Sequence, residues 1–238
     1  MNKKIAIVTG EPNSINSEII AKSWKLISKN QKRKIFLIGN YHLIKKQLKK
    51  LKIKVPIKKI ENIKNITQGK YLQVFNIPLK FKSAFKVSPN ETSKYILKSL
   101  NMAHQMSKQR LIKGFINCPI NKKNTFKRKN IGVTEFLAKK NNVFGKEIML
   151  IFNKKLSVTP VTTHVELKNV SKKLNKKFLK NKILHLNNGY RRIFKKKPSI
   201  AVLGLNPHNS ELKKNSEEKR VIIPTINNLK KIKIMVSG

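Results

Sequence analysis

Aspartate is absent from this chain of 238 residues, and all ten of its acidic residues are glutamates. Acid–base or metal chemistry here must therefore rest on His, Glu, Lys or Asn. Cysteine occurs once, at Cys118, which excludes an internal disulfide and fits a reducing compartment. Its place just after Phe115-Ile116 reads as that of a buried, inert thiol. Arginine is scarce, at 33, 110, 128, 191, 192 and 220 only, so lysine carries almost all of the net charge of +45. Specific readers of bases and phosphates lean on bidentate arginine, and at 7% aromatic the Lys-rich segments lack interleaved rings. A specific nucleic-acid function is not expected. No apolar run nears the roughly 18 residues that cross a bilayer. The start, Met1-Asn2-Lys3-Lys4 before Ile5 to Val8, lacks the long apolar region and cleavage site of a secretory signal. The expectation is a soluble cytoplasmic protein with no membrane partner. Internal repeats, a Pro/Gly/Ser linker and a glycine-rich dinucleotide fingerprint are also missing.

What is present is a foldable α/β pattern. Hydrophobic residues make up 39% and fall in short, spaced runs, enough for a full core at this length. Lysine is spread along the whole chain beside abundant Asn and Ile, as a coding bias towards A- and T-rich codons would produce. The positive field would still favour anionic partners such as phosphorylated metabolites. Lys4 to Val8 reads as a buried strand and Thr9-Gly10-Glu11-Pro12 as the turn leaving it. A helix follows over about 16–29, with Ile19, Ile20, Trp24 and Ile27 as its stripe and Ser14 or Asn16 as N-cap. Ile35 to Ile38 reads as a second strand, followed by a basic helix around Leu43 to Leu51. From Val55 to Val87 the chain is extended and strand-rich. Ser88-Pro89-Asn90-Glu91 combines a capping box with proline at the first helical position, opening a helix to about Lys108. Gly114 to Asn117 is a strand leading into Cys118-Pro119-Ile120-Asn121-Lys122, and Thr134 can cap a short helix. Met149 to Phe152 and Leu156 to Val161 read as an antiparallel pair across Asn153-Lys154. A long basic helix is expected over Ser171 to Phe194, and Ser199 to Leu205 is the cleanest buried strand. A last helix, about Ser216 to Lys231, contains Pro224 and should kink there. Ile232 to Val236 reads as a final strand that normally needs further elements to cover it. Residues 1–238 are thus expected to form a single incomplete unit with no clear internal boundary.

Two histidines stand in distinctive frames. His164 ends Val161-Thr162-Thr163-His164, and His208 ends Gly204-Leu205-Asn206-Pro207-His208. Each frame reads as the end of a buried strand followed by an imidazole, where open α/β sheets place metal and substrate chemistry. Either could instead be a hydrogen-bonded core or rim residue. His42, His104 and His185 fall in basic helical segments and read as surface or packing residues, and Trp24 as core.

Four motifs, in order, resemble the 4-hydroxythreonine-4-phosphate dehydrogenase family of pyridoxal phosphate biosynthesis. They are Thr9-Gly10-Glu11-Pro12, Gly132-Val133-Thr134-Glu135-Phe136, Thr162-Thr163-His164, and Gly204 to His208 with Glu217-Glu218 beyond. Asn121-Lys122 after Pro119 resembles the family's proline-to-lysine turn. The resemblance implies an α/β, two-lobed α/β/α fold like that of isocitrate and isopropylmalate dehydrogenases, here without its C-terminal part, and a homodimer. It implies oxidation of 4-hydroxythreonine 4-phosphate at its secondary alcohol with NAD and a divalent metal ion, then decarboxylation. His164 and His208 match two of the family's three metal-binding histidines. The residue types do not distinguish zinc, magnesium or cobalt. Thr134 matches a substrate-contacting position, and Lys122 is a further candidate phosphate or carboxylate contact.

The chain also departs from the family pattern. Val133 stands where the family usually has a histidine, and valine cannot hydrogen-bond a phosphate. Asn13-Ser14-Ile15-Asn16-Ser17 replaces a glycine-rich loop, and Asn209 to Lys214 replaces a loop richer in glycine. The third metal histidine and most of the NAD-binding segment are expected beyond Gly238. The alternative to the dehydrogenase is therefore a catalytically inactive fragment or degenerate homologue that binds phosphorylated metabolites.

Overall fold

Ile35 to Ile38 is a run of apolar, mostly β-branched or aromatic residues, and successive strand residues point to opposite faces. Phe36, Leu37 and Ile38 are nevertheless all fully buried, which requires a sheet covered on both sides. The computed structural model describes residues 4–63, 69–126, 132–153, 155–163, 165–206 and 215–238, in two compact units, Met1–Val133 and Thr134–Gly238.

In the first unit β1 (Lys4–Val8), β2 (Ile35–Gly39), β3 (Ile57–Ile60), β4 (Leu72–Asn76) and β5 (Ile112–Asn117) form a parallel sheet ordered β3-β4-β2-β1-β5. β1 pairs with β2 on one side (Ile5 opposite Ile35) and with β5 on the other (Ala6 opposite Phe115). Helix α1 (Asn16–Leu26) and helix α3 (Tyr41–Lys50) supply Ile20, Ala21, Trp24, Ile44 and Leu48 to a cluster over Leu37, Leu72 and Val74. Helix α4 (Pro89–Lys108) packs on β1, β2 and β5. Short turns α2 (Lys29–Lys32) and α5 (Lys122–Thr125) are capped by Ser28 and Asn121. The α/β class expected from the sequence is what is observed, and the sheet is parallel.

Local expectations need two amendments here. Neither Ser14 nor Asn16 caps α1: its N-cap is Ile15, and both polar side chains turn back to the loop before it. Ile19 is 46% exposed, so the buried stripe is Ile20 and Trp24. At α4 the Ser88 hydroxyl accepts from Glu91 N at 3.4 Å, and Pro89 opens the helix as expected.

The second unit holds helix α6 (Val133–Lys140, which starts at the boundary), helix α7 (Val170–Lys173), helix α8 (Lys176–Phe194) and helix α9 (Ile223–Lys231). Its two short parallel strands are β6 (Ile200–Ala201) and β7 (Val236–Ser237). Leu179 and Ile183 of α8 meet Val221, Ile222, Ile226, Leu229 and Val236 in one cluster. Here the sequence expectations are corrected more often. Helix α6 begins at Val133, so Thr134 lies in its first turn and does not cap it. The proposed hairpin reduces to one antiparallel bridge, Ile151 with Val158, joined by two backbone bonds of 2.8 and 2.9 Å. The basic helix is interrupted at Leu174, because the Asn175 side chain accepts from Phe178 N at 2.9 Å and starts a new helix. The strand expected over Ser199 to Leu205 is only two residues long, and Leu203 is 84% exposed. Among the described residues β6 pairs on one side only, and without neighbours its apolar run has no ladder to extend. The last strand is likewise confined to Val236–Ser237. Pro224 resolves the expected kink differently: a π-helical stretch, Glu218–Ile222, precedes it, and proline occupies the first turn of α9, where its missing N–H costs nothing.

Candidate active site

The strand order makes β1 the point of reversal, with β2, β4 and β3 to one side and β5 to the other. Loops leaving such a pair at their carboxyl ends form the usual binding crevice of an open parallel sheet. Those loops are Thr9-Gly10-Glu11-Pro12 and Cys118-Pro119-Ile120-Asn121-Lys122, two of the motifs read from the sequence. They are tied directly, Glu11 N donating to Pro119 O at 3.0 Å. Gly10 takes φ +69°, and a Cβ there would stand 2.5 Å from Pro119 O and 2.8 Å from Cys118 O, so only glycine fits. The Asn16 amide donates to Thr9 O at 3.0 Å and Pro119 O at 2.9 Å. The Glu11 carboxylate accepts from Asn121 N at 3.3 Å, beside the exposed Lys122.

Beneath the loops runs a buried polar chain. Asn40 N donates to the Tyr95 hydroxyl at 3.0 Å, the Tyr95 and Thr9 hydroxyls are 2.7 Å apart, and Thr9 donates to Ile38 O at 3.3 Å. Since the Tyr95 oxygen takes the Asn40 proton, its own hydrogen is free for Thr9. Burial pushes the Tyr95 phenol above its ordinary value, so it stays protonated as that chain needs. Gln47, buried on α3, donates to Pro12 O and Ala84 O at 2.7 Å each, holding the far end of the first loop. The Cys118 thiol is pushed up to about 11 by burial, which suits the inert reading and not a nucleophile.

At the boundary, Val133, the last residue of the first unit, is half-buried, and Thr134, the first of the second, is exposed. Thr162 and Thr163 are described, but His164 lies outside the described residues, as does His208 within 207–214. Among the described residues no three of His, Cys, Asp or Glu stand together as a metal-binding group. What is described is the frame around His208. Glu218, only 4% exposed, accepts from Leu205 N at 2.9 Å and Asn206 N at 3.2 Å. Glu217 accepts from Asn206 Nδ2 at 3.2 Å and from the Ser171 hydroxyl. For Glu217 the Ser171 bond draws the carboxyl below the ordinary 4.5. For Glu218 burial pulls upward, but its hydrogen bonds outweigh burial and the net displacement is also downward.

The family model described as "Pyridoxal phosphate biosynthetic protein PdxA" matches residues 31–238. The chain belongs to this family. It is 34% identical to the 4-hydroxythreonine-4-phosphate dehydrogenase of Aquifex aeolicus, over 100% of this chain and 74% of that protein. The corresponding protein of Sulfurihydrogenibium sp. is 31% identical over 95% of this chain and 70% of its own length. The crystal structure of 4-hydroxythreonine-4-phosphate dehydrogenase from Klebsiella pneumoniae superimposes with a TM-score of 0.87 at 22% identity, covering 99% of this chain and 74% of that one. That likeness establishes a common fold.

Membership makes the altered first loop intelligible. Where the resemblance leads one to expect a glycine-rich loop, this chain has polar side chains that bond within the loop and to its neighbours. Asn16 bridges both motif loops, Ser14 donates to Glu11 O at 2.7 Å, and Asn13 exchanges two bonds with Val87 at 2.8 and 2.9 Å. Sequence reading found the two loops and the Glu217-Glu218 pair. It missed Asn16, Tyr95, Asn40 and Gln47, whose partners lie 35 to 103 residues away. Only the position of Asn40, a polar residue between a strand end and a helix start, could have marked any of them.

Proposed function

We propose that this chain oxidises 4-hydroxythreonine 4-phosphate with NAD, in the biosynthesis of pyridoxal phosphate. The observation that carries the reading is the match to the Aquifex dehydrogenase over the chain's whole length. Hydride leaves the carbon bearing the secondary alcohol for NAD, the hydroxyl proton is released, and the β-keto acid so formed loses carbon dioxide. The reading includes a divalent metal ion held by His164 and His208, a cytoplasmic homodimer, and the two-lobed architecture of isocitrate and isopropylmalate dehydrogenases. Among the described residues no helix is long and apolar enough to cross a membrane.

The donor chemistry fits such an ion. Imidazole nitrogen is an ordinary ligand of divalent transition-metal ions. Glu218 also keeps its second carboxylate oxygen buried with no donor among the described residues, and that residue is anchored two positions before His208. Ligating histidines commonly give their other N–H to a carboxylate of this kind. When bound, the ion would lower the pKa of the substrate alcohol and stabilise the charge that develops on its oxygen. Thr134 would donate to the substrate phosphate, a role supported by its position in the first turn of α6, near a helix N-terminus. Val133 offers no such donor, so phosphate affinity rests more heavily on Thr134. Lys122 supplies positive charge beside Glu11 for a phosphate or carboxylate.

The test is NAD reduction by the purified chain with 4-hydroxythreonine 4-phosphate and Zn²⁺ or Co²⁺, with the His164→Ala and His208→Ala variants in parallel. Turnover in the parent that either substitution abolishes is expected. Well-folded parent protein without turnover would refute the catalytic reading and leave a binder of phosphorylated metabolites.

A further inference from the structure

The short antiparallel ribbon closed by the Ile151–Val158 bridge is apolar on the side that faces solvent. Bridged residues point to the same side, and in extended chain alternate residues share a face. Met149 and Ile151 on one limb and Leu156 and Val158 on the other therefore form one face, and all four are 38 to 72% exposed. On the opposite face Leu150, Ser157 and Thr159 are half-buried, and Phe152 stacks on Phe194 of α8 with ring centroids 4.9 Å apart. The Lys182 ammonium, also on α8, donates to Glu147 O at 2.9 Å, just before the ribbon. One face is thus seated on a helix of its own unit, and the other presents four large apolar side chains to water.

A strand pair that is apolar on both sides has the pattern of one covered on both sides. The four outer residues offer about 400 Å², in the range where exposed patches mark contact surfaces and about half of what each partner buries in a standard interface. An apolar centre within a polar rim is the ordinary anatomy of such a contact.

Charge says what covers it. Of the 238 residues 55 are Lys or Arg, yet residues 148–153 and 156–163 include no charged side chain. An acidic protein or a nucleic acid would be drawn to the lysine-covered faces and gains nothing from a patch without cations. A second copy carries the same +45, is repelled at those faces, and approaches closely only where lysine is missing. Two copies meeting about a twofold axis set this face against itself, so one uncharged patch supplies both sides of the contact.

We propose that Met149, Ile151, Leu156 and Val158 form the centre of a homodimer contact in which two such ribbons pack face to face. This rests on the homodimer reading given under Proposed function and names its surface.

The experiment is sedimentation velocity of the full chain over a range of concentrations. It compares the parent with Ile151→Lys, Leu156→Lys and Leu26→Lys, with circular dichroism to verify folding. The parent should be a dimer. Ile151→Lys and Leu156→Lys should each raise its dissociation constant by about 30-fold or more, the loss typical of a central contact. Leu26→Lys, at a still more exposed apolar residue ending α1 in the first unit, should leave it unchanged. Raising the salt should tighten the parent dimer by screening the repulsion between two +45 chains. A parent dimer that both ribbon variants keep within about twofold would overturn the surface and leave the homodimer reading standing. A parent that stays monomeric would overturn both. A dimer that loosens as salt rises is held through its lysines, and that overturns the proposal equally. If Ile151→Lys does not fold, Leu156→Lys, at the most exposed of the four positions, decides alone.

Discussion

Substituting Gly10 by alanine isolates the closest approach between the two loops at the β1–β5 reversal. Alanine at φ +69° is held in the left-handed region, which costs about 1–2 kcal/mol. Its Cβ would also meet Pro119 O at 2.5 Å and both Cys118 O and Asn16 Nδ2 at 2.8 Å. Two of those atoms are backbone just after β5, so relief requires moving that strand's exit. Overpacking of this kind adds about 1–3 kcal/mol. The total is about 2–5 kcal/mol, and near 3 kcal/mol it lowers the melting temperature by roughly 6–12 °C in a chain of this size. Gly69→Ala is the control. Its φ is +63°, but the nearest atom to a new Cβ is Arg33 Cγ at 3.3 Å, on a flexible side chain. It should show the backbone penalty alone, about 1–2 kcal/mol. Urea unfolding followed by Trp24 fluorescence reads both, because the chain's one tryptophan is buried on α1 of the same unit. If Gly10→Ala cost no more than Gly69→Ala, the steric argument for the loop contact would be wrong.

Tyr95→Phe should destabilise the first unit by about 1–3 kcal/mol, since it strands the buried Asn40 N–H and leaves Thr9 one partner fewer; the same urea assay measures it. Glu217 has a folded pKa below 4.5, so its contribution is fully present above 4.5 and is lost as pH falls through the lower folded value. The stability difference between the parent and Glu217→Gln should accordingly shrink on acidification through that window, as pH-dependent unfolding would show. With its thiol pushed up to about 11, Cys118 should react with a disulfide reagent far more slowly in the folded chain than in urea at pH 8, and equal rates would contradict its protection.

How much was legible in the sequence depends on how local each determinant is. β1, β2 and α4 were readable because buried apolar runs, a proline at the first helical position and Ser88 act within a few residues. Failures cluster where the decision is made elsewhere. The Ser199 to Leu205 run has the composition of a core strand, yet strand length is set by neighbours, and β6 has only β7 among the described residues. Asn175 split a helix whose periodicity runs through the break, because one capping bond outweighed a weak propensity signal. At the candidate site, motif spacing located the two loops and the glutamate pair. It could not show that Asn16 spans 103 residues to Pro119 O, since nothing local distinguishes a bridging asparagine from a solvated one.

The charge bias sharpens this distinction. On α3 Lys45, Lys46, Lys49 and Lys50 are exposed while Leu43, Ile44, Gln47 and Leu48 are buried, so the excess of lysine decorates an intact amphipathic pattern. Lys46 and Lys50 even lie over Phe81 and Phe85, at 5.2 and 5.8 Å from the ring centroids, extending apolar cover. Amid so many cations an unconstrained glutamate should find a nearby lysine, and Glu18, Glu61, Glu91 and Glu166 do so within four residues of sequence. Such exposed pairs are worth about 0–1 kcal/mol and specify little. Glu11, Glu217 and Glu218 behave otherwise, accepting from backbone amides, an asparagine and a serine 11 to 110 residues away. All three belong to the motifs on which the resemblance to the family was read. A carboxylate that ignores abundant lysine to hold a distant backbone is being used for geometry, and that makes this chain's few acids better markers of its working parts than its many cations.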